Sequence, residues 1–196
     1  MMDQSILNKL AKELSTHSII WGVGGSFLLQ MYNLYSEPND LDLWVQPSDI
    51  PKVRDIFKDF EEVNTNLPLP KEFHFKMKYY AVEVDFVACF IVKPNQNRFT
   101  YNILPENIRM LTLENGTKVP CTFLEDWYIV YKLLGRENKA NLIENVFREN
   151  RIQFSDKVLR ASLDNRKNKI PKKLIKDITD LICYKLQPLL FDFNPE

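Results

Sequence analysis

Ile6, Leu7, Leu10 and Leu14 recur at helical spacing, which predicts an amphipathic helix over residues 3–15 with its apolar stripe turned inward. Ser18 to Val23 then reads as a short buried strand ending in Gly24-Gly25-Ser26, and Phe27 to Tyr32 as a helix with one apolar face. A turn at Ser36-Glu37-Pro38-Asn39 leads into a strand from Asp40 to Val45. Pro47-Ser48-Asp49 resembles a helix start, with Ile50, Val53, Ile56, Phe57 and Phe60 as the buried stripe that follows.

From Phe73 the pattern turns extended. Phe73 to Tyr80 alternates imperfectly, and Ala81 to Val92 is a β-prone run interrupted only by Glu83 and Asp85, so the two are expected to pair as antiparallel neighbours. Phe99 to Leu104 and the stretch around Lys118-Val119-Pro120, set off by Asn115-Gly116, read as edge strands or a hairpin. After Cys121 the periodicity is helical, over residues 124–134, 137–149, 156–164 and 171–187. The expected architecture is α+β: a mixed sheet with flanking helices in residues 1–120 and a helical region in 121–196.

Composition narrows the function classes. With Lys+Arg 26 against Asp+Glu 26 the net charge is +0, which argues against a general polyanion binder. The balance is uneven along the chain: residues 1–150 hold 16 basic and 20 acidic side chains, residues 151–176 hold 9 and 2, and residues 177–196 hold 1 and 4. The basic segment, from Arg151 through Arg166, Lys167, Lys169, Lys172 and Lys173 to Lys176, reads as a solvated face or as a contact for an RNA or phosphorylated acceptor. No apolar run is long enough to span a bilayer and the first residues lack a signal-peptide layout, so a cytoplasmic location without membrane contact is expected. Cys89, Cys121 and Cys183 are far apart in apolar surroundings and read as reduced thiols.

The chemistry concentrates at Asp40-Leu41-Asp42. Side chains alternate along a strand, so both carboxylates point to one face, their Cα atoms about 6.5–7 Å apart, and they repel unless a cation neutralises them. Glu83-Val84-Asp85 alternates in the same way, and Asp85 abuts the apolar run Phe86 to Val92, where an ionised carboxylate needs a partner. If that strand lies beside the one holding Asp40 and Asp42, three carboxylates converge and can hold Mg²⁺ through oxygen, while Glu83 is expected to be exposed. Gly24-Gly25-Ser26, between a strand and a helix, offers backbone N–H groups and a hydroxyl to a phosphate. It matches neither the P-loop nor the dinucleotide fingerprint.

In combination these elements resemble the nucleotidyltransferase superfamily typified by DNA polymerase beta, in particular its small stand-alone bacterial members of the antibiotic-modifying and toxin-system types. The signature is Gly-Ser at a helix entry, an acidic-x-acidic pair on the next strand and a third acidic residue on a later strand, here Gly25-Ser26, Asp40-Leu41-Asp42 and Asp85. The resemblance covers residues 18–92 and extends more loosely through residues 124–139. It implies transfer of a nucleoside monophosphate from an NTP to an acceptor, and leaves open whether that is a small molecule, an RNA or a protein. Asp40, Asp42 and Asp85 are then the metal-binding catalytic residues, and Gly24, Gly25 and Ser26 hold the β and γ phosphates. Lys132, Arg136 and Lys139, spaced at i, i+4 and i+7, are expected to form one basic helix face toward the triphosphate. An Arg and a Ser/Thr that many members carry before the acidic pair are replaced by Tyr35-Ser36-Glu37-Pro38-Asn39, which leaves Lys76, Lys78 or Arg98 to supply that contact. His74 reads as structural and Trp127 as a core residue. The second reading is a non-catalytic nucleotide-binding or antitoxin-like module on the same fold; against it, no acidic position is lost.

Overall fold

The computed structural model describes residues 4–64, 73–92, 99–113, 116–164 and 170–186. Arg98, Asn115, Arg166, Lys167 and Lys169, and the last residue of the helix expected over 171–187, lie outside them. The chain divides into two compact units, one formed by residues 1–91 and 100–123, the other by residues 92–99 and 124–196.

The first unit is built on a seven-stranded mixed sheet. Its strands are β1 (Trp21–Val23), β2 (Leu41–Val45), β3 (Glu61–Glu62), β4 (His74–Tyr79), β5 (Val82–Val87), β8 (Ile108–Thr112) and β9 (Lys118–Thr122), in the spatial order β3-β4-β5-β2-β1-β9-β8. β6 (Phe90–Val92) and β7 (Phe99–Tyr101) form a separate two-stranded sheet. The expected antiparallel pairing of the two middle strands is observed as β4 with β5. β2 and β5 are parallel, as are β1 and β9, whereas β1 runs antiparallel to β2; the β1–β2 and β2–β5 pairings bring the strand ends of the chemistry together.

Two expectations are corrected here. The stretch around Lys118 is the hairpin alternative and no edge strand: β9 pairs antiparallel with β8 and lies between it and β1, so the edge is β8, whose mostly polar or exposed residues gave no apolar alternation. Phe99–Tyr101 takes no part in that hairpin and pairs with β6 instead, after the apolar run from Ala81 breaks at Ala88-Cys89.

Alternation along β2, β4 and β5 separates the sheet into a greasy face and a charged one. Leu41, Leu43, Met77, Val84 and Phe86 are completely buried, and Phe75 nearly so. Phe86 stacks between Phe57 (5.6 Å) and Phe75 (5.9 Å), Phe57 being supplied by the end of α3 (Ile50–Ile56). Helix α1 (Gln4–Thr16) buries Leu7, Leu10 and Leu14, the stripe expected from spacing. Helix α2 (Gly25–Met31) follows β1 directly.

The second unit contains α4 (Leu124–Leu133), α5 (Glu137–Arg148), α6 (Asp156–Asp164) and α7 (Lys172–Leu186). Glu125 lies in its interior at 1% exposure and accepts the Ser155 N–H at the start of α6. The basic side chains Lys157, Arg160, Lys172, Lys173 and Lys176 are exposed. Among the described residues no helix is long and apolar enough to cross a membrane.

Candidate functional site

The parallel register of β2 and β5 places Asp42 opposite Asp85 and Leu43 opposite Phe86. Period-two alternation then sends both carboxylates to one face and both apolar side chains into the core. Asp40, just ahead of β2, joins them, and ligand oxygens of Asp40, Asp42 and Asp85 all lie within 4.8 Å of one another. Asp85 is 5% exposed, and Asp40 and Asp42 are partly exposed. A donor set of three carboxylates, without sulfur or imidazole, fits a hard divalent cation such as Mg²⁺.

The glycine turn is locked onto the same strand. Gly24 N–H donates to the Asp42 carbonyl at 2.9 Å, which carries β1 past β2 and into α2. Gly25 has φ +60, and a Cβ placed there would meet Asp42 Oδ2 at 1.7 Å. Only a residue without a side chain lets the Asp42 carboxylate occupy its place. Ser26 is buried at 6% exposure in the first turn of α2. Gly24, Gly25 and Ser26 are thus brought beside the acidic pair by adjacent strands.

β4 adds two residues: His74, which the sequence reading took as structural, and Lys76, which it named with Lys78 and Arg98 as a substitute for the missing arginine. His74 Nε2 contacts Asp85 Oδ1, and both side chains are buried. The backbone carbonyl of His74 accepts from Arg54 Nη2 at 2.8 Å, with the guanidinium over the Phe75 ring, which ties down the strand that carries the imidazole. Two residues on, Lys76 Nζ lies 2.8 Å from Glu83 Oε2 and 3.5 Å from Asp40 Oδ2. Burial acts to lower the Lys76 pKa, but the Glu83 hydrogen bond and the charges of Asp85, Asp40 and Glu83 outweigh it and hold it above the ordinary 10.5. The hydrogen bond from Lys76 is the first cause holding the Glu83 carboxyl below its ordinary range. Glu83 is half exposed, as expected, and faces Lys76. The signal for both contacts was available only as register: in the β4–β5 pair, Lys76 stands opposite Asp85 and His74 opposite Val87.

Lys132, Arg136 and Lys139 belong to the second unit. They do not share one helix: α4 ends at Leu133, Gly135 adopts φ +68 and α5 begins at Glu137, so the i, i+4, i+7 spacing does not translate into a single face. Lys132 is 10% exposed, with its ammonium 2.9 Å from Glu137, 3.7 Å from Asp177 and 3.8 Å from Glu144. Arg136 is exposed, and with Lys139 it lines a cleft of about 360 Å³ between Gly135 and Lys139. The hydrogen bond from Lys132 is the main cause that holds the Glu137 carboxyl below its ordinary 4.5. That contribution to stability is therefore present above pH 4.5 and is lost as pH falls through the lowered value. Lys132→Met is expected to cost about 1–3 kcal/mol at pH 7, less than for a fully buried pair because Glu137 is half exposed. The deficit should narrow at a pH well below 4.5, where the Glu137 carboxyl takes up its proton. Urea midpoints at the two pH values measure it, and an equal deficit at both would count against the ion cluster.

No protein-family model matches the sequence, and comparison with curated proteins finds no match. Solved structures do match. A Thermotoga maritima protein assigned to the nucleotidyltransferases superposes with a TM-score of 0.55 at 20% identity, covering 74% of this chain and 92% of that one. The antibiotic-resistance factor ANT(2'')-Ia gives a TM-score of 0.56 at 12% identity over 83% of this chain and 91% of its own. The lincosamide antibiotic adenylyltransferase LnuA, solved with lincomycin bound, gives 0.50 at 9% identity over 74% and 98%. The chain therefore has the α+β fold of the nucleotidyltransferases, with a cluster of three carboxylates, Asp40, Asp42 and Asp85, on the sheet face opposite Leu43 and Phe86.

Proposed function

We propose that the protein is a Mg²⁺-dependent nucleotidyltransferase that moves a nucleoside monophosphate from an NTP to an acceptor hydroxyl. The observation that carries this reading is the convergence of Asp40, Asp42 and Asp85 beside the Gly25-Ser26 turn. Asp40, Asp42 and Asp85 would hold the metal, which when bound neutralises charge on the phosphates and acidifies the acceptor hydroxyl. Gly24, Gly25 and Ser26 orient the β and γ phosphates through backbone N–H groups and the Ser26 hydroxyl. His74 keeps the buried Asp85 carboxylate turned to the site. The acceptor hydroxyl loses its proton to solvent and its oxygen forms a bond to the α-phosphorus as the bond to pyrophosphate breaks, so the protein's work is positioning and charge stabilisation. The role of Lys132, Arg136 and Lys139 toward the triphosphate rests on sequence spacing, and Arg136 is the most exposed of the three.

The adenylyltransferases LnuA and ANT(2'')-Ia, the latter solved with adenylyl-2''-tobramycin, make ATP the first nucleotide and antibiotic hydroxyls the first acceptors to assay. The test of the core reading is calorimetric titration of the four NTPs with Mg²⁺ into wild type, Asp42→Ala and Asp85→Ala. Wild type is expected to bind at least one NTP in a Mg²⁺-dependent way, with affinity falling by about 100-fold or more in each variant, the scale expected when a metal ligand and its charge are removed. Absence of binding to every NTP by wild type would overturn the proposal. Binding without pyrophosphate release in the presence of any acceptor would favour the non-catalytic module on the same fold.

A further inference from the structure

The triad collects three carboxylates within a few ångströms, and Glu83 adds a fourth at its margin. Without a counter-charge, such a group repels itself. Among the described residues, the cation placed to answer it is Lys76. Its side chain is 13% exposed, against 31% for Asp40 and 51% for Glu83, so the ammonium sits inward of the carboxylate it bonds most closely. It bridges one member of the triad, Asp40 at 3.5 Å, and one outsider, Glu83 at 2.8 Å. Asp85 is differently served, since His74 occupies its Oδ1. A lysine ammonium is a compact point charge on a flexible stem and can exchange between two acceptors without moving the strand that bears it. An ammonium and a divalent ion cannot both hold Asp40 at contact distance without strong mutual repulsion.

We propose that Lys76 is the resident counter-cation of the triad, neutralising Asp40 in the metal-free protein and giving way onto Glu83 when a divalent ion enters. The inference rests on the nucleotidyltransferase reading for what the metal is used for, but the displacement itself concerns only metal and protein. It makes Lys76 a positioning residue that sets metal affinity, with Glu83 as the site to which its ammonium withdraws.

The experiment is Mn²⁺ titration of the whole 196-residue chain without nucleotide, followed by calorimetry and by the thermal midpoint. Lys76→Met and Lys76→Gln are expected to bind Mn²⁺ about tenfold or more tightly than wild type and to gain more thermal stability from it, whereas Lys76→Arg keeps the competing charge and shows no tightening. Glu83→Gln should weaken Mn²⁺ binding when Lys76 is present, and by less in the Lys76→Met background, because the two act through one displacement. A neutral variant that folds only with Mn²⁺ also supports the proposal. Equal or weaker Mn²⁺ binding in the neutral variants overturns it, as does a lack of Mn²⁺ binding by every form or failure of both neutral variants to fold with or without the ion. The outcome separates from that of the functional reading: wild type that binds Mg²⁺–NTP while the neutral variants show no tightening loses this inference alone, and tighter Mn²⁺ binding without any NTP binding loses the functional reading alone.

Discussion

Gly25→Ala is expected to lose divalent-ion binding and nucleotidyl transfer together, by about 100-fold or more, although no ligand atom is removed. The reason is spatial. The added methyl carbon would stand 1.7 Å from Asp42 Oδ2, 2.4 Å from its Cγ and 2.7 Å from its Cβ, so the whole Asp42 side chain must turn away. With it goes the convergence with Asp40 and Asp85 on which any metal depends. The backbone adds a second cost, since a left-handed conformation at φ +60 is unfavourable by about 1–2 kcal/mol for a residue with a Cβ. Mn²⁺ titration and a thermal melt separate the two effects: the variant should fold with a modestly lowered midpoint and fail to respond to the ion. Wild-type Mn²⁺ affinity in Gly25→Ala would show that Asp42 is not held where the turn places it.

The largest loss of stability is expected at the residue beside Asp85 that faces the other way. Phe86 is completely buried and lies between the rings of Phe57 and Phe75. Truncation to alanine leaves a cavity between a strand and the end of α3, at a cost of about 3–5 kcal/mol. For a chain of this size, each kcal/mol moves the melting temperature by about 2–4 °C, which predicts a fall of about 6–20 °C in a calorimetric scan. Phe86→Leu, which refills most of the volume, should recover more than half of it. A drop below a few degrees in Phe86→Ala would mean that this face of the sheet is not the core described.

These two positions also mark where the sequence is readable. Alternation is a property of one strand, so Asp40 and Asp42 sharing a face, and Asp85 opposing Phe86, followed from counting residues. Helix stripes such as Leu7, Leu10 and Leu14 were legible for the same reason. What a single strand does not encode is its register with a neighbour. His74 stood only as a histidine on an alternating strand, and its contact with Asp85 depends on how β4 lies against β5. The edge strand β8 escaped because a charged residue, Arg109, takes the position over the Tyr32 and Phe123 rings while apolar Met110 is exposed, so no apolar alternation marks Ile108–Thr112. The supposed basic face through Lys132, Arg136 and Lys139 failed at a signal that was visible: a glycine inside a helical pattern is a common stop, and Gly135 is one.

The parallel pairing of β1 with β9 has a kinetic consequence. Thr122 hydroxyl donates to the carbonyl of Val23, 99 residues earlier, at the end of the strand that leads into the Gly24-Gly25 turn. Contacts of such sequence separation are closed late, because the chain must lose the entropy of a long loop before they form. On the ribosome, β1 therefore waits for β9 to emerge before its second edge is covered. A nascent chain stopped before Lys118 should expose that edge of β1 to other strands, which makes this stretch of translation the period in which the chain is most prone to aggregate.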